Sequence, residues 1–203
     1  MSKQKSKKRK FIEWGLIIGV FIFLNQTSYG TLLQSWLQRG ILMTGLITPD
    51  ISLAKEDRVD ASFDLRLTAL SNGERLSLGD FRGKTIFMNV WATWCPPCLA
   101  EMPLIQALYD DVKQENIAFV MISTDESAEV ARAYFRKNEF TLPIYMLDGP
   151  LPEPYSSRIL PTTYVISPNG KLVSKHAGMA NYNSDSFRKF LRDLSAEPVL
   201  SVR

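Results

Sequence analysis

The chain has 203 residues, room for one domain of ordinary size plus an appendage, and its 45% hydrophobic and 22% charged residues make it a globular composition. The net charge of +3 misleads, because Lys3, Lys5, Lys7, Lys8, Arg9 and Lys10 crowd the first ten residues, whereas from Lys55 onward 17 basic residues stand against 19 acidic ones. The folded part carries no net positive charge, which argues against a nucleic-acid partner.

Behind the basic tail (residues 1–10), Phe11 to Leu24 is apolar apart from Glu13. A basic stretch followed by an apolar one is the layout of an export signal, with the basic side left in the cytoplasm. The charge-free run from Trp14 to Gln38 is long enough to span a bilayer, with Trp14 and Tyr29 placed as interfacial aromatics. Residues 11–30 therefore read as a retained membrane anchor, with cleavage near Ser28-Tyr29-Gly30 as the alternative. From Thr31 to Leu42, the residues Leu32, Leu33, Trp36, Leu37 and Ile41 recur at helical spacing, opposite Gln34, Ser35, Gln38 and Arg39. Such an amphipathic helix lies either in the membrane interface or docked on the main domain. The polar stretch from Thr48 to Asp60, interrupted by Pro49, reads as a linker, so that residues 31–60 connect the anchor to a domain over residues 61–203.

Within that domain, Phe63, Leu65 and Leu67 alternate with polar residues, Ser71-Asn72-Gly73 turns, and Arg75 to Leu78 follows, which is an N-terminal β-hairpin signal. Lys84 to Trp91 reads as a buried strand. Cys95 to Lys113 reads as a helix with Leu99, Met102, Ile105 and Leu108 inward and a kink at Pro103. Ile117 to Ser123 is a second buried strand. Ser127 to Lys137 is a helix with Val130, Ala131, Tyr134 and Phe135 inward. Leu142 to Leu147 is a third strand, and Thr163 to Ser167 and Lys171 to His176 pair across Pro168-Asn169-Gly170. Ser184 to Leu194 closes the domain as a helix. This order predicts an α/β fold, a mixed sheet with helices on both faces.

Cys95 and Cys98 are the only two cysteines, two residues apart at the mouth of the first helix. At that spacing they can form a disulfide with each other and pass it on. The thiolate is the attacking species, and a cysteine at a helix N-terminus is favoured as thiolate by the unpaired N–H groups and the dipole. Cys95 holds that position and reads as the nucleophile; Cys98, one turn inside, reads as the resolving thiol. Pro96 and Pro97 suit the first helical turn but remove two N–H donors from the Cys95 sulfur. A less stabilised thiolate makes a more reducing pair, which favours a disulfide reductant over an oxidant. A purely structural disulfide closing so short a loop would constrain the unfolded chain little. A zinc site would need two further ligands, and His176 is the single histidine.

The run Asn89-Val90-Trp91-Ala92-Thr93-Trp94-Cys95-Pro96-Pro97-Cys98, with Glu101 and Pro103 after it and Leu160-Pro161-Thr162-Thr163-Tyr164-Val165-Ile166 later, resembles the thioredoxin superfamily. Within it the match is to the membrane-anchored TlpA/ResA-like thiol–disulfide oxidoreductases, over roughly residues 60 to 195. The resemblance implies a thioredoxin-like fold and a cis peptide before Pro161, beside the sulfurs, with Leu160 supplying backbone to a bound substrate. Trp94, Pro96 and Pro97 would complete the substrate-binding rim. Asn89 stands where thioredoxin itself has a buried acid. Glu101, one helical turn beyond Cys98, would accept the proton when Cys98 becomes a thiolate.

The function expected from these residues is an extracytoplasmic reductant of protein disulfides, for example in cytochrome c maturation. Its partners would be disulfide-bearing proteins and a thiol protein in the membrane that supplies electrons; no cofactor or metal is called for beyond the redox-active disulfide. The alternatives are a disulfide oxidant or isomerase, a copper chaperone using the cysteines with His176 and Met179, and a peroxidase, for which no peroxide-binding arrangement surrounds Cys95.

Overall fold

The computed structural model describes residues 10, 12–20, 28–44, 47–49 and 53–198. Seven strands form one sheet: β1 (Arg66–Ala69), β2 (Arg75–Ser77), β3 (Thr85–Trp91), β4 (Ile117–Ser123), β5 (Ile144–Leu147), β6 (Thr162–Ile166) and β7 (Leu172–Ala177). Their order across the sheet is β2-β1-β5-β4-β3-β6-β7. β3, β4 and β5 run parallel, while β1, β2, β6 and β7 join antiparallel to their neighbours. The sequence order of elements is the one expected, and the sheet is mixed. β3 and β4 lie at its centre and every residue of both is buried. That is why they read as unbroken apolar runs rather than alternating ones.

Among the described residues, and besides the helical residues 12–20, the α-helices are α1 (Ser28–Met43), α2 (Pro96–Val112), α3 (Ala128–Lys137) and α4 (Asp185–Ser195). Serines set two of the starts. Ser127 Oγ accepts from Glu129 N at the head of α3, and Ser184 Oγ accepts from Phe187 N at the head of α4. Glu129 in the first turn of α3 and Arg136 and Lys137 in its last complement the helix dipole.

The expectation of helices on both faces is corrected. Phe87 and Trp91 of β3 point to the face covered by α2 (Met102, Ile105, Leu108), α3 (Ala131, Phe135) and α4 (Phe187, Leu191, Leu194). Ile86, Met88 and Val90 point to the other face, where Leu65, Leu78 and Tyr155 cover them from irregular and 3₁₀ segments. A sheet face needs apolar cover and not a helix, so Leu78, in the 3₁₀ turn Leu78–Phe81, serves there. On α3 the predicted inward set is also trimmed: Ala131 and Phe135 are buried, but Val130 is 49% exposed.

The segment before the domain is not a free tether from Leu53 on. Leu53 N donates to Val173 O, Leu172 N to Val59 O and Ala61 N to Gly170 O, which lays residues 53–61 along the β7 edge and covers it. Residues 12–20 are helical, with apolar side chains exposed all round. Among the described residues no helix is long and apolar enough to cross a membrane. Residues 1–9, 11 and 21–27, on which the basic tail and most of the expected anchor's second half fall, lie outside the described residues.

Candidate active site

α2 begins a few residues past the end of β3; the turn between them ends in Cys95, and Cys98 is the third residue of the helix. Cys95 is the N-cap of α2, with extended backbone, and Pro96 and Pro97 take its first two positions. With both proline nitrogens lacking a hydrogen, the amide that reaches the Cys95 sulfur is that of Cys98, at 3.3 Å. The two sulfurs are joined as a disulfide across Cα atoms 5.3 Å apart. Cys95 is 4% and Cys98 0% exposed, whereas the Trp94 ring beside them is 62% exposed. Pro96 and Pro97 are half-buried. The peptide bond between Leu160 and Pro161 is cis, Pro161 is buried, and Leu160 packs against the cluster that contains both cysteines. Pro161 O accepts from Gly178 N at 2.8 Å, which ties this loop to the end of β7.

Beneath the disulfide lies a buried polar chain. Glu101, on α2, is fully enclosed. Its Oε1 accepts from Asn89 Nδ2 at 2.9 Å and its Oε2 from Ala180 N at 3.1 Å. Asn89 Nδ2 also donates to Thr163 Oγ1 at 2.9 Å, so β3 and the loop after β7 meet at the Glu101 carboxyl group and β6 is joined to it through Asn89. Burial raises the Glu101 pKa to about 8, against the opposing pull of the Ala180 and Asn89 hydrogen bonds. Two buried oxygens beside it, Asn89 Oδ1 and the Tyr182 hydroxyl, have no hydrogen-bond partner of ordinary geometry among the described residues. Glu101 and Thr163 are neighbours of that hydroxyl. Glu101 stands one turn beyond Cys98 on the same helix.

A second carboxylate shapes the turn itself. Asp125, just past the end of β4, accepts from Thr93 N (3.0 Å), Thr93 Oγ1 (2.7 Å) and Ser123 Oγ (2.7 Å). Trp91 O accepts from Thr124 N at 2.9 Å. These bonds hold Ala92-Thr93-Trp94 against the neighbouring strand and so aim Cys95 at the helix mouth. Asp125, Ala180 and Tyr182 were not singled out from the sequence. For Asp125 the available signal is an acid directly after a buried parallel strand; for Ala180, whose contribution is a backbone amide, there is none.

His176 packs edge-on against Tyr182, ring centroids 6.5 Å apart. Among the described residues no group of three or more His, Cys, Asp or Glu side chains is gathered as a metal site.

The comparisons with known proteins agree with this geometry. The family model described as Redoxin matches residues 48–191. The thiol-disulfide oxidoreductase ResA of Oceanobacillus iheyensis is 31% identical over 166 residues, 77% of this chain and 85% of that protein. ResA of Bacillus subtilis is 28% identical over 175 residues, 86% of this chain and 88% of that protein. Among solved structures, a thiol:disulfide interchange protein DsbE from Chlorobium tepidum superposes with a TM-score of 0.60 at 20% identity, covering 69% of this chain and 99% of that one. That last likeness shows the thioredoxin-like fold. The chain belongs to the Redoxin family, and its disulfide at the helix mouth makes it a thiol–disulfide oxidoreductase.

Proposed function

We propose that this chain is a membrane-anchored reductant of protein disulfides whose domain works outside the cytoplasm. The observation that carries the reductant reading is the capping of Cys95: at a helix N-terminus that would ordinarily offer several amides, two are replaced by prolines and one, from Cys98, reaches the sulfur. The thiolate of Cys95 is thereby less stabilised, and the dithiol gives up its electrons more readily.

The reaction runs as follows. The Cys95 thiolate attacks one sulfur of a substrate disulfide, forming a mixed disulfide and releasing the first substrate thiolate. Cys98 passes its proton to the Glu101 carboxylate and attacks the Cys95 sulfur. The second substrate thiolate leaves, and Cys95 and Cys98 end as the disulfide seen here. Two electrons have moved from the dithiol to the substrate. Trp94, Pro96, Pro97 and the Leu160-Pro161 segment form the rim against which the substrate chain would lie. A thiol protein of the membrane would restore the dithiol.

The basic tail followed by the apolar segment supports the anchor and a domain on the far side of the membrane. Proteins named for the same exchange chemistry in two bacilli support the class of reaction. The haem-attachment cysteines of apocytochromes c, spaced Cys-x-x-Cys-His, are the substrate we favour. The test is to mix the reduced full chain with an oxidised peptide carrying that motif. The peptide should become a dithiol while the protein becomes the disulfide. In the Cys98→Ser chain the peptide should remain attached as a mixed disulfide at Cys95. A peptide that stays oxidised at equilibrium contradicts the reductant reading.

A further inference from the structure

α1 is docked the opposite way round from an ordinary surface helix. It packs on the active-site helix α2 through Ser35 and Leu42, both buried, with Gln38 and Arg39 half-buried on the same side. Its C-terminal end is clamped: Asn181 Nδ2 donates to Leu42 O at 3.3 Å and Asn181 N to Ile47 O at 3.0 Å. The opposite side presents Leu33, Trp36, Leu37 and Ile41 to the outside, with Trp36 and Leu37 each 66% exposed. The Arg39 guanidinium lies 5.4 Å from the Trp36 ring centre. Apart from Leu42, the side turned to the domain is polar and the side turned away from it is apolar. In water this is an unfavourable exposure, and a contiguous apolar stripe of this kind marks a contact surface.

We propose that the outer face of α1 lies in the surface of the same bilayer that holds residues 11–24, so that the helix is a fixed foot for the catalytic domain. This rests on the anchor reading above. The occupant follows from chain length. Asn25, Gln26 and Thr27 alone separate Leu24 from Ser28, and four peptide steps reach at most about 14 Å. The start of α1 is therefore held within that distance of the apolar segment, whichever way the domain tilts. An amphipathic helix so tethered, with Trp36 in the middle of its apolar face, has the make-up of one lying in the headgroup region, where aromatic rings favour the boundary. Because α1 is packed on α2, the bilayer plane and the Cys95 end of α2 keep one orientation. The loop that clamps α1 through Asn181 is the loop that holds Glu101 through Ala180. The disulfide is then offered to partners at a set angle above the membrane, rather than on a swinging tether.

The test uses the full chain in phosphatidylcholine–phosphatidylglycerol vesicles, with or without bromine at the 6,7 positions of the acyl chains. The emission of Trp36 is isolated as the difference between wild type and Trp36→Phe, a substitution at an exposed ring. Bromination should reduce that difference about twofold or more, as expected for a ring 5–10 Å into the boundary. A carbonate wash of the same vesicles reports the anchor separately. A chain that stays in the vesicles while Trp36 emission is unchanged by bromine overturns the foot and leaves the anchor standing. A Trp36 emission that bromine leaves unchanged but that varies with protein concentration likewise overturns it, in favour of a second copy covering α1. A chain that the wash removes, with Trp36 unquenched, overturns both.

Discussion

Asn89 Nδ2 donates to Glu101 Oε1 at 2.9 Å, and this bond joins the central strand to the active-site helix at the level of the disulfide. Both side chains are fully buried. Where an acid on the strand would place a second negative charge beside Glu101, the asparagine supplies a donor to the carboxylate and leaves Glu101 as the carboxyl group of this pair.

Glu101→Gln should remove an inflection near pH 8 from the rate of the resolving step, in which Cys98 attacks Cys95. Stopped-flow exchange with a small disulfide between pH 6 and 9.5 reads this directly. The variant should keep the later rise that belongs to the thiols themselves. An unchanged profile would leave Glu101 with a structural role alone.

The same substitution should flatten the dependence of stability on pH. The folded-state pKa of Glu101 is about 8 against 4.5 for an exposed glutamate, so between those values the folded chain binds more protons than the unfolded one. Stability should be greatest below pH 4.5 as far as this group is concerned, and should fall as pH rises through 8. At about 1.4 kcal/mol per unit the swing is on the order of a few kcal/mol. Denaturant melts of the oxidised protein at pH 5 and pH 8.5 should show that difference shrinking in Glu101→Gln.

The Asn89→Ala chain should move the inflection the other way. The Asn89 hydrogen bond favours the carboxylate, so its loss should push the Glu101 pKa further up. It also leaves buried groups without a partner, at about 1–3 kcal/mol in stability. The pH–rate profile of this variant should shift to the alkaline side of the wild type, with the melting temperature lowered.

Much of this site is written locally in the chain. The Cys95-to-Cys98 spacing, the prolines of the first helical turn and the apolar run of β3 lie within fourteen residues and need no tertiary information. The cis bond before Pro161 followed from resemblance, and the structure has it. What could not be read is what folding brings from far away. Ala180 reaches Glu101 across 79 residues through a backbone amide, which has no side-chain signature. Asp125 lies 32 residues from Thr93 and looks like any polar residue after a strand. For α1, periodicity defines two faces but not which of them meets the domain; the polar one does, because Ser35 allows close approach to α2 and Asn181 takes up the carbonyl of Leu42. Val130 fails for a similar reason, since its spacing on α3 fits the inner face but the helix is rolled to put Ala131 and Phe135 there.

Asp125→Ala should loosen the turn before Cys95 without touching the sulfurs. Three donors lose their acceptor, and two of them belong to Thr93. A cost of about 1–3 kcal/mol is expected in unfolding experiments. Exchange should slow while the pH inflection of Glu101 stays in place, which separates this positioning role from proton transfer.

The most direct single measurement is the reduction potential of the full chain in detergent, equilibrated against dithiothreitol buffers and read by thiol alkylation. With Pro96 and Pro97 withholding their amides from Cys95, the pair should equilibrate near thioredoxin, at about −270 mV or lower. A value near that of the strong oxidants, about −120 mV, would mean that the Cys95 thiolate is well stabilised despite the prolines and that the protein donates disulfides instead of removing them.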